Sequence, residues 1–281
     1  MPQAAEVGRG ERFEFGRNWQ RFLTTLDDER IATAQHSLVK MLDLNDHSLH
    51  GKSFLDIGAG SGLFSLAARR LGARVHSFDY DPACVSCTQF LKDRYFPNDA
   101  DWTVEEGSVL NRTYVASLGT FDVTYSWGVL HQTGDMWTAL DLANQTVTPG
   151  GQLMIAIYND QGGASRRWLA FKKLYNQVPY PAKLAMVLCV GAWWEVRAAL
   201  IRLIRFQNPL PLEDWAKKKQ DRGMSVWYDL VDWVGGYPFE VAKPEEIFDF
   251  YTARDYVLTR LTTERGHGCN QFVFRKNKFS S

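Results

Sequence analysis

The sequence predicts an α/β fold, in which a mostly parallel sheet with flanking helices is interrupted by a helical insertion after the fifth strand. Short apolar runs alternate with amphipathic stretches between residues 50 and 160, as in sheets whose strands are joined by crossover helices. A glycine-rich turn at 58–62 leads from the first apolar run straight into a helical stretch. β-rich runs return only after about 80 residues of different texture, which include a tryptophan-containing helical run at 183–206.

The alternating block supplies five strands and four helices. The strands are predicted at 53–57, 74–79, 101–106, 121–126 and 152–158. The helices are predicted at 62–71, 82–94, 113–118 and 136–147. Thr148-Pro149-Gly150-Gly151 ends the last helix and turns the chain into the fifth strand, because proline and glycine interrupt regular helix.

Apolar patterning also places elements on both sides of this block. Residues 19–44 predict a helix with a loosely periodic apolar face, and residues 244–251 predict another. Two β-rich runs, 256–263 and 271–275, then complete the sheet. The chain is therefore divided into an N-terminal segment (1–48), a sheet domain (49–159 and 244–281) and a helical insertion (160–243).

Composition and charge exclude several classes of protein. Lys plus Arg and Asp plus Glu number 32 each, whereas proteins that bind nucleic-acid backbones usually carry a basic excess. The N-terminus lacks the apolar core of a secretory signal. The longest uncharged apolar run in a helical context, 184–194, has eleven residues, whereas a membrane-spanning helix needs roughly 20. We therefore expect a cytoplasmic protein with no transmembrane segment and no nucleic-acid partner.

The four cysteines favour ordinary reduced side chains over a metal site. Cys84 and Cys87 form a CxxC at a predicted helix start, a spacing that also occurs in zinc and redox sites. Cys189 and Cys269 stand alone, so the sequence offers no second pair of ligands. No metal is expected.

The motif that carries the chemistry extends from Phe54 to Gly62 and reads Phe-Leu-Asp-Ile-Gly-Ala-Gly-Ser-Gly. A buried strand enters three glycines, which allow a ligand to approach the backbone closely, and a helix follows at once. Asp79 ends the second strand, 21 residues beyond Gly58, where a carboxylate can accept hydrogen bonds from both hydroxyls of a ribose. The pattern indicates a ligand that contains a ribose.

Dinucleotide dehydrogenases use a related turn, and two residues separate them from this chain. Their GxGxxG motif needs a third glycine for close helix packing, at the position that Leu63 occupies here. Asp56, just before the first glycine, suits a cationic ligand and opposes a pyrophosphate. The ligand that combines a ribose, a cationic amine and a sulfonium is S-adenosylmethionine, which the motif favours over NAD.

Residues 54–158 resemble the class I, seven-stranded S-adenosylmethionine-dependent methyltransferases of the small-molecule kind, and the elements after 244 extend the resemblance. It implies a Rossmann-like, mostly parallel sheet and an enzyme that transfers methyl groups. The residues that it assigns to the cofactor are Asp56, Gly58, Ala59 and Gly60 at the amino-acid part, Asp79 at the ribose, Tyr80 beside the adenine, Ser108 and Val109 after strand three, and Trp127 after strand four. Ser108 stands where the family often has an acid that faces the adenine amine.

The N-terminal segment has three aromatic residues within seven positions, Phe13, Phe15 and Trp19. In related enzymes such a segment folds over the cofactor as a lid, which implies that Trp19 contacts the cofactor and Phe15 the substrate. The alternative is that these aromatics staple the start of a helix to the sheet.

Methyl transfer from a sulfonium depends chiefly on alignment and on exclusion of water, and positioning alone is worth up to about 10 kcal/mol. His131 is the candidate base, because it follows strand four at the edge where open α/β sheets bind ligands. The alternative roles for this side chain are packing on the cofactor or capping the helix near Asp135. Tyr158 and Asn159 end strand five at the same edge, where they can hydrogen-bond an acceptor; Tyr158 is the second catalytic candidate and Asn159 a substrate-binding candidate. Nucleic-acid amino-methyltransferases carry an Asn/Asp-Pro-Pro-aromatic motif after strand four, where this chain has Ser126-Trp127-Gly128-Val129.

The insertion is expected to form a helical cap that selects the substrate. Its segment 222–240 concentrates aromatics, acids and glycines, which favours a pocket wall over a satellite core. The candidate substrate-binding residues in it are Arg222, Tyr228, Asp229, Asp232, Trp233 and Tyr237. The run at 183–206 is either a cap helix packed on its own domain or a surface for a membrane or a partner.

The sequence thus predicts an enzyme that methylates O, S or N of a small molecule, with a small thiol as one candidate. Two alternatives stay open. One is a methyltransferase for a lipophilic acceptor at a membrane surface. The other is a non-catalytic module that binds the cofactor or a partner.

Overall fold

A seven-stranded sheet forms the centre of the protein. The computed structural model describes residues 2–44, 46–210, 226–264, 266 and 268–278. The strands are β1 (Ser53–Ile57), β2 (Arg74–Asp79), β3 (Trp102–Glu106), β4 (Phe121–Trp127), β5 (Val147–Tyr158), β6 (Tyr256–Thr262) and β7 (Cys269–Lys276). Their order is β3-β2-β1-β4-β5-β7-β6; β7 runs antiparallel to both neighbours and the other pairs are parallel. The predicted Rossmann-like, mostly parallel sheet is confirmed.

Helices cover both faces of the sheet. They are α1 (Pro2–Gly8), α2 (Phe15–Leu23), α3 (Asp28–Leu42), α4 (Leu63–Arg70), α5 (Pro82–Tyr95), α6 (Arg112–Leu118), α7 (Met136–Gln145), α8 (Gly163–Gln177), α9 (Tyr180–Ile204), α10 (Val226–Gly235) and α11 (Pro244–Thr252). Phe54 and Leu55, adjacent in β1, enter two different core clusters, because successive strand residues face opposite sides of a sheet. The sheet is therefore covered by a separate core on each face.

Most element boundaries agree with the sequence prediction to within a few residues, and the two largest differences concern α2–α3 and the start of β5. The single helix predicted at 19–44 is divided into α2 and α3, because Asp27 caps α3 by accepting a hydrogen bond from the Arg30 amide at 2.8 Å. The predicted helix 136–147 ends at Gln145, and β5 already begins at Val147, which pairs with Phe121 at the start of β4.

The described part of the insertion consists of α8, α9 and α10. Tyr175, Val187 and Val234 from these three helices form a small core with Phe13 of the N-terminal segment. In α9, Val187 is the single buried residue. Within the described residues, α9 is also the one helix that is long and apolar enough to cross a membrane, with a mean hydropathy of 1.7. The expected absence of a transmembrane segment therefore stays a prediction.

Candidate active site

A cavity of about 590 Å³ lies at the carboxyl ends of the strands, where open α/β sheets bind their ligands. Because β2 and β3 lie on one side of β1 and β4 and β5 on the other, the cavity has two halves. We call the part lined by residues 56–61, 79–81 and 107–110 the glycine-loop half, and the part lined by residues 127–129, 158, 229, 232 and 233 the cap half.

Most of the residues proposed from the sequence are brought together on this cavity. The cofactor candidates that line it are Trp19, Asp56, Gly58, Ala59, Gly60, Asp79, Tyr80, Ser108, Val109 and Trp127. The candidates for substrate contact or catalysis that line it are Phe15, Tyr158, Asp229, Asp232 and Trp233. Residues distant in the sequence thus share one space.

Two glycines of the loop leave no room for a side chain. Gly58 has a φ of +73°, and a Cβ there would lie 2.5 Å from the methyl groups of Val129. Gly60 has a φ of +58°, and a Cβ there would lie 3.1 Å from the indole nitrogen of Trp19. Other residues are strained in this left-handed region. The loop is therefore held between a residue that follows β4 and an aromatic side chain of α2.

Asp79 holds the glycine loop while it faces the cavity. One carboxylate oxygen accepts a hydrogen bond from the Gly60 amide and the other from the Asp81 amide, each at 2.9 Å. Burial raises the pKa of Asp79 to about 6, although these hydrogen bonds act in the opposite direction. A carboxylate has about four acceptor positions, so Asp79 retains capacity for ligand hydroxyls.

Asp56 lies deeper, at the end of a chain of buried polar groups. Its carboxylate accepts a hydrogen bond from Ser65 Oγ at 2.5 Å; Ser77 Oγ donates to Ser65 Oγ at 2.7 Å, and Trp102 Nε1 donates to Ser77 Oγ at 3.0 Å. Burial raises the pKa of Asp56 to about 7, and the negative charge of Asp79 adds to the effect. A cation in the glycine-loop half would stabilise the ionised forms of both acids.

The N-terminal segment connects the two halves of the cavity. Arg12 pairs with Glu6 at 2.7 Å, and Glu6 accepts a hydrogen bond from the Tyr80 hydroxyl at 3.1 Å. Arg12 also donates to the carbonyl oxygen of Gln132, just after β4, at 3.1 Å. Its guanidinium carbon lies 5.0 Å from the centre of the Tyr80 ring. Arg12 therefore links the end of β2 to the turn after β4.

The same segment is bonded to the cap. The Asn18 side-chain amide donates to the Tyr228 carbonyl at 3.0 Å, and the Phe13 amide donates to the Tyr237 carbonyl at 2.9 Å. Tyr228 and Tyr237, which were substrate candidates, thus contribute backbone contacts to the junction between the N-terminal segment and the cap.

A fully buried lysine, Lys172 of α8, stands behind the wall of the cap half. Its Nζ donates to the Trp233 carbonyl and lies 4.7 Å from the centre of the Trp233 ring, 4.9 Å from that of Phe239 and 5.7 Å from that of Tyr158. Burial lowers the pKa of Lys172 to about 7, against the opposing effect of the Asp232 charge. Lys172 thereby joins Tyr158 and Trp233, two of the aromatic residues that line the cap half.

His131 lies behind Tyr158 instead of on the cavity. It is fully buried, its ring centre is 4.0 Å from that of Tyr158, and its Nδ1 is 3.4 Å from the Tyr158 amide nitrogen. Burial lowers the pKa of His131 to about 3, and the positive charge of Lys172 acts in the same direction. His131 therefore contacts Tyr158 but does not itself line the cavity, and its role as the base stays a prediction.

The candidate Asn159 also lies away from the cavity. The side-chain amide of Asn159 donates to the Glu264 carbonyl at 3.1 Å, and its oxygen accepts from Asn270 at 3.1 Å, so Asn159 ties β5 to the start of β7. Arg222 lies outside the described residues.

Sequence reasoning missed Glu6, Arg12 and Lys172. A Lys172-Lys173 pair within a helical pattern is typical of a solvated face, and the first dozen residues offered no periodicity.

The two CxxC cysteines lie in α5, both buried, and burial raises the pKa of each thiol. Across the described ranges, no group of three or more His, Cys, Asp or Glu side chains has an arrangement suited to a metal ion.

Comparison with known proteins places the chain in a family. The profile of the family described as "Methyltransferase domain" matches residues 19–220, more than two thirds of the chain. The protein belongs to this methyltransferase family. The predicted relationship to class I S-adenosylmethionine-dependent methyltransferases is thereby confirmed.

The curated relatives of this methyltransferase differ in their acceptors. It is 29% identical over 180 residues to tRNA U34 carboxymethyltransferase of Chromohalobacter salexigens, covering 63% of this chain and 54% of that protein. It is 28% identical over 123 residues to ubiquinone biosynthesis O-methyltransferase of Escherichia fergusonii, covering 43% and 48%. The chain thus spans about half the length of the curated relatives that it matches.

A solved structure supports the fold over nearly the whole chain. Magnesium protoporphyrin IX methyltransferase from Synechocystis PCC 6803, with bound S-adenosylhomocysteine, superposes with a TM-score of 0.53 at 13% identity. The match covers 93% of this methyltransferase and 94% of that chain. This similarity supports the fold of the chain.

Proposed function

We propose that this protein transfers a methyl group from S-adenosylmethionine to a small-molecule acceptor bound in the cap half of the cavity. The observation that carries the proposal is the continuity of the cavity: the loop with Gly58 and Gly60 and the carboxylate of Asp79 share one space with Tyr158 and Trp233. A donor site and an acceptor site must adjoin in this way if a methyl group is to pass between them.

The glycine-loop half fits the donor. The left-handed Gly58 and Gly60 allow a ligand to approach the backbone, Asp79 has acceptor capacity for ribose hydroxyls, and Asp56 offers a buried carboxylate to an amine. When bound, S-adenosylmethionine supplies a methyl group activated by a positive sulfur. The chain's own residues bind the donor, orient it and exclude water.

The cap half has the groups to receive an acceptor. Trp127, Tyr158 and Trp233 supply aromatic walls, and Asp229 and Asp232 supply carboxylates that can accept a proton from an O–H or N–H nucleophile. Burial raises the pKa of Tyr158 well above its usual range, so its hydroxyl stays a neutral donor. We assign acceptor contact to Tyr158, and we assign to His131 the positioning of that ring.

A small molecule is favoured over a nucleotide within a folded RNA. One relative acts in tRNA modification and another in ubiquinone biosynthesis, so the relatives alone leave the acceptor open. In this chain, the N-terminal segment and the cap are bonded to each other beside the cavity through Asn18 and Phe13. Together with the balanced charge of 32 basic and 32 acidic residues, this closure favours a compact acceptor.

The destination of a labelled methyl group tests the proposal. Purified protein, methyl-labelled S-adenosylmethionine and a cell extract are incubated, and the label is then measured in the small-molecule, RNA and protein fractions. Label in the small-molecule fraction is expected, and Asp79→Asn should abolish most of it. Label that accumulates in RNA would assign a nucleic-acid acceptor instead. S-adenosylhomocysteine binding without transfer to any fraction would indicate a non-catalytic module.

A further inference from the structure

The outer face of α9 is a large exposed apolar surface. Twelve of the eighteen large apolar side chains that are exposed in the described part of the chain lie between residues 174 and 210. Trp193 is 65% exposed, Leu200 55% and Ile204 78%. Soluble monomers rarely leave so large a contiguous apolar patch in water unless it meets a partner or a membrane.

The opposite face of α9 packs on its own domain. Val187 is buried, a Cβ added at Gly191 would lie 2.9 Å from the Leu230 side chain, and the Trp194 ring centre lies 5.0 Å from that of Trp233. The three α9 positions are three or four residues apart, so they share one side of the helix. The fold therefore fixes which face of α9 points outward.

This surface is also strongly basic. Residues 163–210 contain eight Lys or Arg residues, of which Lys172 is buried, and a single acid, Glu195, although the whole chain is balanced at 32 of each sign. The rest of the chain is therefore net acidic. Arg197 and Arg205 are exposed on α9 and just beyond it, and Arg166, Arg167 and Lys173 are exposed on α8. Basic residues that border an apolar helix face are complementary to anionic lipid headgroups.

An orientation in the plane of a membrane fits α9 better than an orientation across it. At 25 residues the helix is long enough to span, since about 20 suffice. However, the contacts of Val187, Gly191 and Trp194 with the cap occupy its middle, and Glu195 and Arg197 also lie there. A spanning helix would lose those contacts and bring both charges into hydrocarbon.

We propose that the exposed face of α9 docks in the plane of an anionic lipid bilayer, with the basic residues of α8 and α9 at the headgroups. Docking of this kind combines buried apolar area with electrostatic attraction. The proposal does not depend on methyl transfer.

Docking has a consequence for the cavity. Trp233 lines the cap half and also packs on Trp194 of α9, so the acceptor end lies one helix away from the docked bilayer. An acceptor that partitions into lipid is the substrate class served by this placement, an assignment that rests on the proposed function.

Vesicle co-sedimentation of the full chain tests the docking. The probes are vesicles of phosphatidylcholine alone and of equimolar phosphatidylcholine and phosphatidylglycerol, at low and high salt. We expect the protein to sediment with the anionic vesicles, to remain in solution with the neutral ones, and to be released in part by salt. Failure to sediment with anionic vesicles at low salt would overturn the proposal.

Matched variants localise the contact. The double variant Trp193→Glu/Leu200→Glu places two carboxylates on the apolar face and should lower vesicle binding about ten-fold or more. The control Phe90→Glu/Val257→Glu makes the same change at side chains that are 50% and 54% exposed elsewhere, and should bind as the unmodified protein does. An equal loss in both doubles would contradict a specific face.

Three further measurements make the result unambiguous. Arg197→Gln/Arg205→Gln should weaken binding to anionic vesicles while it leaves the apolar face unchanged. S-adenosylhomocysteine affinity should be unchanged in every one of these variants, which would show that each variant is folded. This measurement also separates a failure of membrane docking from a failure of the proposed function. Light scattering that shows a dimer dissociated by Trp193→Glu/Leu200→Glu would assign the face to a second copy and overturn the proposal.

Discussion

The two halves of the cavity are built in different ways. In the glycine-loop half, the groups that face the ligand come from neighbouring strand ends, and the left-handed torsions of Gly58 and Gly60 shape the loop. In the cap half, Tyr158 from β5 meets Asp232 and Trp233 from α10, with a long insertion between them in the sequence. One half depends on backbone geometry, and the other depends on how an insertion packs.

The charged groups of the two halves also differ in what surrounds them. Burial disfavours charge in both halves: it raises the pKa of Asp56 to about 7 and of Asp79 to about 6, and it lowers that of Lys172 to about 7. Lys172 already has the Asp232 charge nearby and three aromatic rings around it. The two acids of the glycine-loop half repel each other. The glycine-loop half is therefore suited to a cationic ligand, whereas Lys172 beside the cap half already has an opposite charge nearby.

The largest effect is expected from Asp79→Asn. The amide can no longer accept charge-assisted hydrogen bonds at both oxygens, so S-adenosylhomocysteine affinity should fall by about ten- to a hundred-fold, corresponding to about 1–3 kcal/mol. Calorimetry measures it, with Asp101→Asn as the control, because Asp101 is exposed and pairs only peripherally with Arg69 at 3.5 Å. Equal affinity in both variants would show that Asp79 does not contact the cofactor.

Cofactor affinity should also depend on pH. A cationic ligand binds the ionised carboxylates, and Asp56 and Asp79 have raised pKa values of about 7 and 6. Affinity for S-adenosylmethionine should therefore be constant above pH 8 and fall as pH decreases through 7 and 6, by up to about ten-fold per pH unit for each group. Calorimetry at several pH values tests this, and Asp79→Asn should remove the lower part of the dependence. A flat profile would show that the acids are already ionised and compensated.

The difference between the halves also explains what the sequence could predict. The strand, glycine turn and acid spacing around Asp56 and Asp79 are local patterns, so the sequence predicts the sheet and brings the right residues to the glycine-loop half of the cavity. Asp229, Asp232 and Trp233 were recognised as a cluster because their composition is unusual for a solvated helix. Their location on the cavity follows from packing between α8, α10 and the N-terminal segment.

Other features depend on tertiary contacts that leave no local signal. Lys172 is buried because aromatic side chains from three separate elements surround it. His131 follows β4 at the expected edge, but a 3-10 turn at Leu130–Gln132 directs it behind Tyr158. The run 183–206 combined apolar and basic residues, and the sequence alone did not determine which of its faces packs on the domain.

His131→Asn tests how the cap half is organised. If His131 positions Tyr158, turnover should fall by about ten-fold through misalignment, S-adenosylhomocysteine affinity should persist, and the pH profile near neutrality should keep its shape, since the pKa of His131 is about 3. Tyr158→Phe serves as the comparison and should show a similar loss with an unchanged profile. Disappearance of the pH dependence near neutrality in His131→Asn would instead identify His131 as the general base.

Lys172→Met tests the buried cation through stability. The pKa of Lys172 is about 7 in the folded protein and 10.5 in its ordinary state, so the unfolded chain binds the additional proton between these values. The contribution of Lys172 should therefore make the free energy of unfolding rise with pH through this window, and the methionine variant should lose this rise. Denaturant unfolding at pH 7, 8 and 9, compared between the two proteins, cancels the other titrating groups. A parallel pH dependence in both would show that Lys172 stays charged in the folded protein.

The smallest effect is expected at the link between the halves. Arg12→Ala removes the pair with Glu6 and the hydrogen bond to the Gln132 carbonyl, so the N-terminal segment is tied less firmly across the cavity. The Arg12 side chain is 17% exposed, and solvent weakens such a pair, so we expect S-adenosylhomocysteine to dissociate only about three-fold faster in stopped-flow measurements. Arg9→Ala is the matched control, because Arg9 is 58% exposed and its pair with Glu11 lies near the surface. An unchanged rate in Arg12→Ala would mean that α1 and the loop after it do not retain the ligand, and that the glycine-loop half holds the cofactor without help from this segment.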